Sequence, residues 1–216
     1  MIRDLAEQDL RERGLTDADR AVVAGQLGRV PQDVNGVAVR CPFGHPAVIE
    51  TMPILRGAPN PTLLYLTCPV LANAVSRVEA MGGVRALKAA FASDELVRAV
   101  LLEVTRFYQQ RRTALAKGGS DLADRAVLDG HATPLGSGVV SRDLRDSGVG
   151  GPADPSKASC LHAYGAALLA VRSGWLPQVR GAEEVWEMLG LPVTAAWCDD
   201  DRCGEYTRQS ERAEVT

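Results

Sequence analysis

Apolar positions fall into two rhythms along this chain. In the first third they come in short runs rich in branched and aromatic residues, Val37 to Arg40, Ala47 to Thr51 and Thr62 to Thr67, punctuated by glycine and proline. Such residues suit a pleated, half-buried surface, so the pattern predicts a small antiparallel sheet whose links are stiffened by Pro42, Pro46, Pro53, Pro59 and Pro61. Ahead of it, Thr16 or Asp17 can cap a short helix carrying Ala21, Val22, Val23 and Leu27, which Gly28 and Pro31 stop. Beyond the sheet the rhythm turns helical. Cys68-Pro69 opens a helix that runs through Met81 and ends at Gly82-Gly83, with Pro69 at the position where a missing N–H costs nothing. Val84 to Ala92 forms a further segment, and Ser93 is a suitable cap for a long helix to about Leu115. Leu96, Val97, Val100, Leu101, Val104 and Tyr108 line one face of that helix and read as core.

Residues 117–120 break the pattern. A short helical stretch ending at Gly130 follows, then a glycine- and serine-punctuated loop to Ser159, long enough that a function is expected of it. Cys160, Tyr164, Ala167, Leu168 and Val171 return to helical spacing up to Gly174, and Ala182 to Leu189 makes a last short helix. Trp175, Trp186 and Trp197 are evenly spaced, but their flanks differ and no repeat is inferred. The expected architecture is α+β, with a small antiparallel sheet in the first third packed by several helices. It forms a single domain over residues 1–206, with 207–216 as a frayed polar tail.

Composition narrows the classes of function. The chain has 216 residues, 46% of them hydrophobic and 24% charged, which is ordinary for one folded domain. A formal charge of -3, with both signs interspersed, gives no general pull toward phosphate backbones, so nucleic acid is not an expected partner. The longest apolar stretch, Ala163 to Val171, falls short of the roughly 20 residues of a membrane span. The opening segment lacks the pattern of a secretory signal, and five cysteines is an odd count. A soluble protein of the cytoplasm, with reduced thiols, is the expectation.

Three of those cysteines stand where elements begin or end: Cys41 after the first strand, Cys68 before a helix and Cys160 at the start of another. A thiol at a helix amino terminus gains from the dipole and from unpaired N–H groups, as metal ligands and nucleophiles both require. Cys41, Cys68, Cys160 and His162 supply the four nitrogen and sulfur donors of a zinc-type site, with His45 as an alternative to His162. Because Cys160 and His162 diverge on a regular helix, joint ligation requires one of them to precede the helix proper. An iron-sulfur cluster on the same residues is less favoured with so few thiols. Singly, each cysteine reads better as a small core hydrophobe. A metal-free alternative makes Cys160 or Cys68 an attacking thiolate, with His162, His45 or His131 as base. Cys198 and Cys203 bracket Asp199, Asp200, Asp201 and Arg202 and read as a solvated acidic turn. Gly148, Gly150 and Gly151 read as a flexible turn, because they lack the lysine and hydroxyl of a phosphate loop.

Several short motifs occur in a fixed order: Cys41-Pro42-Phe43-Gly44 with Pro46-Ala47-Val48, Pro61-Thr62, Tyr65-Leu66-Thr67-Cys68-Pro69, Gly148-Val149-Gly150-Gly151 and Cys160-Leu161-His162. Together they resemble the bacterial family catalogued as domain of unknown function 501, from about Asp19 to about Gly174. The resemblance implies that Cys41, Cys68, Cys160 and His162 belong to family motifs. It implies no reaction. Members often lie near genes for cell division and polyphosphate hydrolysis, which implies, as a third reading, a non-enzymatic adaptor for a protein partner. Similar proteins tend to carry further histidines after Cys160-Leu161-His162, where this chain has Tyr164 and Ala167; Cys198 and Cys203 lie outside the resemblance.

Overall fold

The computed structural model describes residues 15–31, 33–55, 58–60, 62–118, 147–191, 197–199 and 201–206. The predicted stretch ending at Gly130, His131 and the tail at 207–216 lie outside the described residues. The elements run α1 (Asp17–Leu27), β1 (Val34–Arg40), β2 (Pro46–Thr51), β3 (Ile54–Leu55), β4 (Ala58–Pro59), β5 (Leu64–Leu66), α2 (Pro69–Ala80), α3 (Gly83–Ser93), α4 (Glu95–Gly118), a 3-10 turn (Pro155–Lys157), α5 (Leu161–Arg172) and α6 (Ala182–Met188). β1, β2 and β5 form a three-stranded antiparallel sheet in that order, and β3 and β4 make a separate small hairpin. The fold is α+β with its sheet in the first third, as the apolar pattern predicts.

Local chemistry explains most boundaries. Thr16 forms a reciprocal capping box with Asp19, and Gly28, in the left-handed region, closes α1. β1 begins at Val34, three residues before the expected start. β2 is buried along its whole length, because β1 and β5 flank it and helices pack on it. Ser93 is not the cap of the long helix. It ends α3 and bonds back to the Ala89 carbonyl, while the Asp94 carboxylate accepts from Val97 N–H at 3.1 Å. A carboxylate is the better acceptor at a helix start, where it also meets the dipole favourably. Of the expected stripe on α4, Val97, Val100, Leu101, Val104 and Tyr108 are core, whereas Leu96 is 43% exposed.

α5 is the centre of the molecule. It is buried on all sides, touching β1, β2, β5, α2, α4 and α6, and of its residues only His162 and Arg172 reach the rim. Its alanines let neighbouring elements approach closely, and each fully buried leucine on it, Leu161 and Leu168 among them, contributes about 1.5–3 kcal/mol.

α4 is fastened to the sheet by polar contacts. Tyr108 accepts from Leu63 N–H at 2.6 Å, and Arg111 grips the fully buried Glu50 of β2 through two bonds of 2.8 Å. The same carboxylate accepts from Asn35 of β1 at 2.6 Å and from the Trp175 indole at 2.8 Å.

Candidate metal site at the start of the central helix

Two corners of the chain meet at the amino terminus of α5. Cys160 is the residue before the helix, in extended conformation with φ -151° and ψ 125°. That conformation removes the divergence between Cys160 and His162 on a regular helix, since only His162 lies within it. The last turn of α2 packs opposite and contributes Glu79, whose carboxylate accepts from Leu161 N–H. Sulfur, imidazole nitrogen and carboxylate oxygen of Cys160, His162 and Glu79 all lie within 4.8 Å of one another.

The imidazole is held from both ends. Nε2 lies 3.2 Å from the Ala72 carbonyl and 3.2 Å from Ser76 Oγ, while Nδ1 lies 3.3 Å from Glu79 Oε2. With the ring proton on Nε2 donated to the Ala72 carbonyl, the Nδ1 lone pair faces Glu79 and is available to a metal ion; with the proton on Nδ1, it is donated to Glu79 and Nε2 accepts from the Ser76 hydroxyl. Donation of the distal N–H to a backbone carbonyl is also the arrangement that orients metal-ligating histidines.

Burial is the largest influence on Cys160 and pushes its thiol above the usual range. The N–H of Ala163 partly offsets this, and the charge of Glu79 adds to it. A proton therefore stays on this sulfur at neutral pH unless a cation displaces it. The side chains of His162 and Glu79 are 31% and 26% exposed, so one side of the group faces solvent.

The four residues singled out from sequence are divided between two places. Cys160 and His162 join Glu79; Cys41 and Cys68 are not members of that group. Cys41 opens the turn between β1 and β2, where its N–H bonds His45 O at 2.8 Å, and Cys68 precedes α2 with its N–H on Ala47 O at 3.2 Å. His45 instead meets Asp201 at 2.5 Å. Tyr164 and Ala167 are buried at 1% and 0% exposure and point into the core.

One further expectation is corrected, and the turn expected at the glycines is found. Cys198 and Cys203 are not part of a solvated turn. Each is only 7% exposed, although Asp199 and Asp201 between them are exposed. The glycines at 148–151 form a closed turn with reciprocal backbone bonds of 3.1 Å between Gly148 and Gly151. A Cβ on Gly148 would fall 2.4 Å from Pro152 O and 2.9 Å from Thr105, so that glycine permits close packing on α4.

Glu79 was missed in the sequence, although a signal was present. An acidic residue in the last turn of a helix opposes that helix's own dipole. Ala72, Ser76 and Glu79 also share one face of α2 by their spacing. Glu79 is explained by α5, whose first N–H it satisfies.

A family profile described as Protein of unknown function (DUF501) matches residues 37–176, a span that includes Cys41, Cys68, Glu79, Cys160 and His162 and excludes Cys198 and Cys203. No curated protein and no solved structure matches the chain.

Proposed function

Because the chain belongs to the family of proteins of unknown function called DUF501, whose description names no reaction, we propose from the geometry alone that it is a metal-binding protein that holds a zinc-type ion on Glu79, Cys160 and His162. The observation that carries this reading is the convergence of one oxygen, one sulfur and one nitrogen donor within 4.8 Å. A tetrahedral ion with bonds of about 2.0–2.3 Å keeps its donors roughly 3.3–3.8 Å apart, so closing the site takes only a small movement.

Three protein donors leave one position of a tetrahedron to solvent, and the exposed side of the group provides it. Sites that keep such a position suit Lewis-acid chemistry on a bound water or carbonyl better than a purely structural role. The metal-free alternative, with Cys160 as attacking thiolate, is less well supported. A protonated thiol is a poor nucleophile, and burial together with Glu79 favours the proton.

The test is metal content of the full chain purified anaerobically without chelator, followed by zinc titration of the wild type and of Glu79→Gln, Cys160→Ser and His162→Asn. Each variant should keep its fold by circular dichroism and lose the bound ion or bind it at least tenfold more weakly. Wild-type affinity in all three folded variants would refute the assignment.

A further inference from the structure

The four cysteines outside that group are not scattered. Cys41 and Cys68 flank the start of β2: the turn that Cys41 opens closes through Gly44 N–H on Cys41 O at 2.9 Å, with Gly44 at φ 83°, and both Thr67 and Cys68 bond the Ala47 carbonyl. The segment carrying Cys198 and Cys203 is pinned to this same edge. The Gln26 side-chain amide donates to Pro46 O at 2.8 Å and to Cys203 Sγ at 3.3 Å, so the third sulfur is one amide group away from β2. Asp201 reaches His45 of the Cys41 turn at 2.5 Å. Trp197 packs against the core beside Cys68, and Cys198 follows it into the interior. Cys203 lies within electrostatic reach of Cys41, Cys68 and Cys198, and Cys68 within reach of Cys198.

We propose that Cys41, Cys68, Cys198 and Cys203 form a second, all-sulfur site for a soft divalent ion of the zinc type, which clasps the segment around residues 198–203 onto the end of the sheet. Trp197 against the core and Tyr206 against Gly25 anchor the two ends of the segment, while between them Asp199, Asp201 and Arg202 are exposed and, among the described residues, only the two thiols turn inward, toward Cys68 and the Cys41 turn. Four thiolates around one ion are the usual closed structural zinc site, and such a site contributes folding free energy directly. The sulfurs need to draw in toward the roughly 3.8 Å edge of a tetrahedral thiolate site. Among the described residues only the Glu79 group has three donors within 4.8 Å. Rotation of cysteines that lie in turns, as Cys41 and Cys203 do, supplies that movement. On binding, each coordinating thiol exchanges its proton for the bond to the ion, and nothing is oxidised or reduced.

The two sites predict different losses, so their failures can be told apart. Full chain purified anaerobically should carry two ions. Glu79→Gln with His162→Asn should retain one, and in that background cobalt(II) should give the near-ultraviolet thiolate charge-transfer band and visible bands of a tetrahedral sulfur site. Adding Cys203→Ser or Cys41→Ser should abolish both. No ion and no cobalt spectrum in the folded Glu79→Gln, His162→Asn protein would overturn the proposal, as would an unchanged spectrum with Cys203→Ser. Should Cys203→Ser fail to fold, alkylation of the wild-type chain decides. Joint protection of Cys41, Cys68, Cys198 and Cys203 by added zinc supports the site; equal labelling with and without zinc, or a Cys198–Cys203 disulfide in the anaerobic protein, overturns it.

Discussion

Replacing Glu50 by alanine tests whether the polar contacts, rather than apolar packing alone, set the position of α4 on the sheet. The carboxylate is fully buried and meets three donors from three parts of the chain: Asn35 at 2.6 Å, the Trp175 indole at 2.8 Å and the Arg111 guanidinium through two bonds of 2.8 Å. Breaking a buried pair by removing one partner costs about 3–5 kcal/mol, mostly because the other charge is left in a poorly hydrated place. Arg111 is 30% exposed, so water recovers part of its solvation and the lower end, about 3 kcal/mol, applies. The Trp175 N–H loses its acceptor as well, within that figure, since the contacts form one network and do not add. With a urea slope of about 2 kcal/mol/M the midpoint should fall by about 1.5 M with the slope unchanged. Asn35→Ala, which removes one donor and leaves the ion pair, should cost about 1 kcal/mol. A midpoint shift for Glu50→Ala no larger than that of Asn35→Ala would refute the reasoning and reassign the stability to the apolar stripe of α4.

Three further outcomes are expected. Gly83→Ala places a Cβ 2.7 Å from Val78 O and 2.8 Å from Leu161, so the corner between α2 and α3 has to shift; a loss of about 1–3 kcal/mol in thermal or urea unfolding is expected, with weaker zinc binding because Glu79 moves with that corner. Glu79→Ala should destabilise even the metal-free chain by about 1 kcal/mol, since it removes the acceptor of Leu161 N–H, whereas Glu79→Gln should retain most of that and lose the ion; urea unfolding in chelator separates the two effects. Asp19 governs part of the acid response. Burial opposes its ionisation, but Arg40 at 2.6 Å and the Thr16 backbone and hydroxyl outweigh it and hold the carboxyl below its usual value. A carboxyl depressed in the folded state adds stability that is fully present above its unfolded value near 4 and is lost as pH falls through the folded value. With Arg40 37% exposed, Asp19→Asn should cost only about 1 kcal/mol at pH 7, and that difference should shrink in unfolding titrations as the pH falls below the unfolded value near 4 and through the lower folded value. A difference that stays constant into acid would contradict it.

Periodicity was enough for the three-stranded sheet and the main helices among the described residues, though not for the small β3–β4 hairpin. Branched and aromatic runs between prolines read as strands, Pro69 and Gly82-Gly83 bounded a helix, and Thr16 marked another, because each is decided by neighbours within a few residues. Where local signals competed, the choice failed: Ser93 and Asp94 are both good caps, and the carboxylate took the position. The order of the motifs likewise carried the family, since membership is a property of the string itself.

The sequence also singled out Cys41, Cys68, Cys160 and His162, yet it could not say which of them meet. That is a matter of distances between parts of the chain far apart in the string: Glu79 joins Cys160 and His162 only because α2 packs against the start of α5, and Cys203 meets the start of β2 through Gln26, which bonds both its sulfur and the Pro46 carbonyl. The amino acids determined which donors the chain possesses and which helix and strand each one ends. Packing decided their company, because ligand convergence follows from how buried faces fit together, and no short stretch of sequence records that fit.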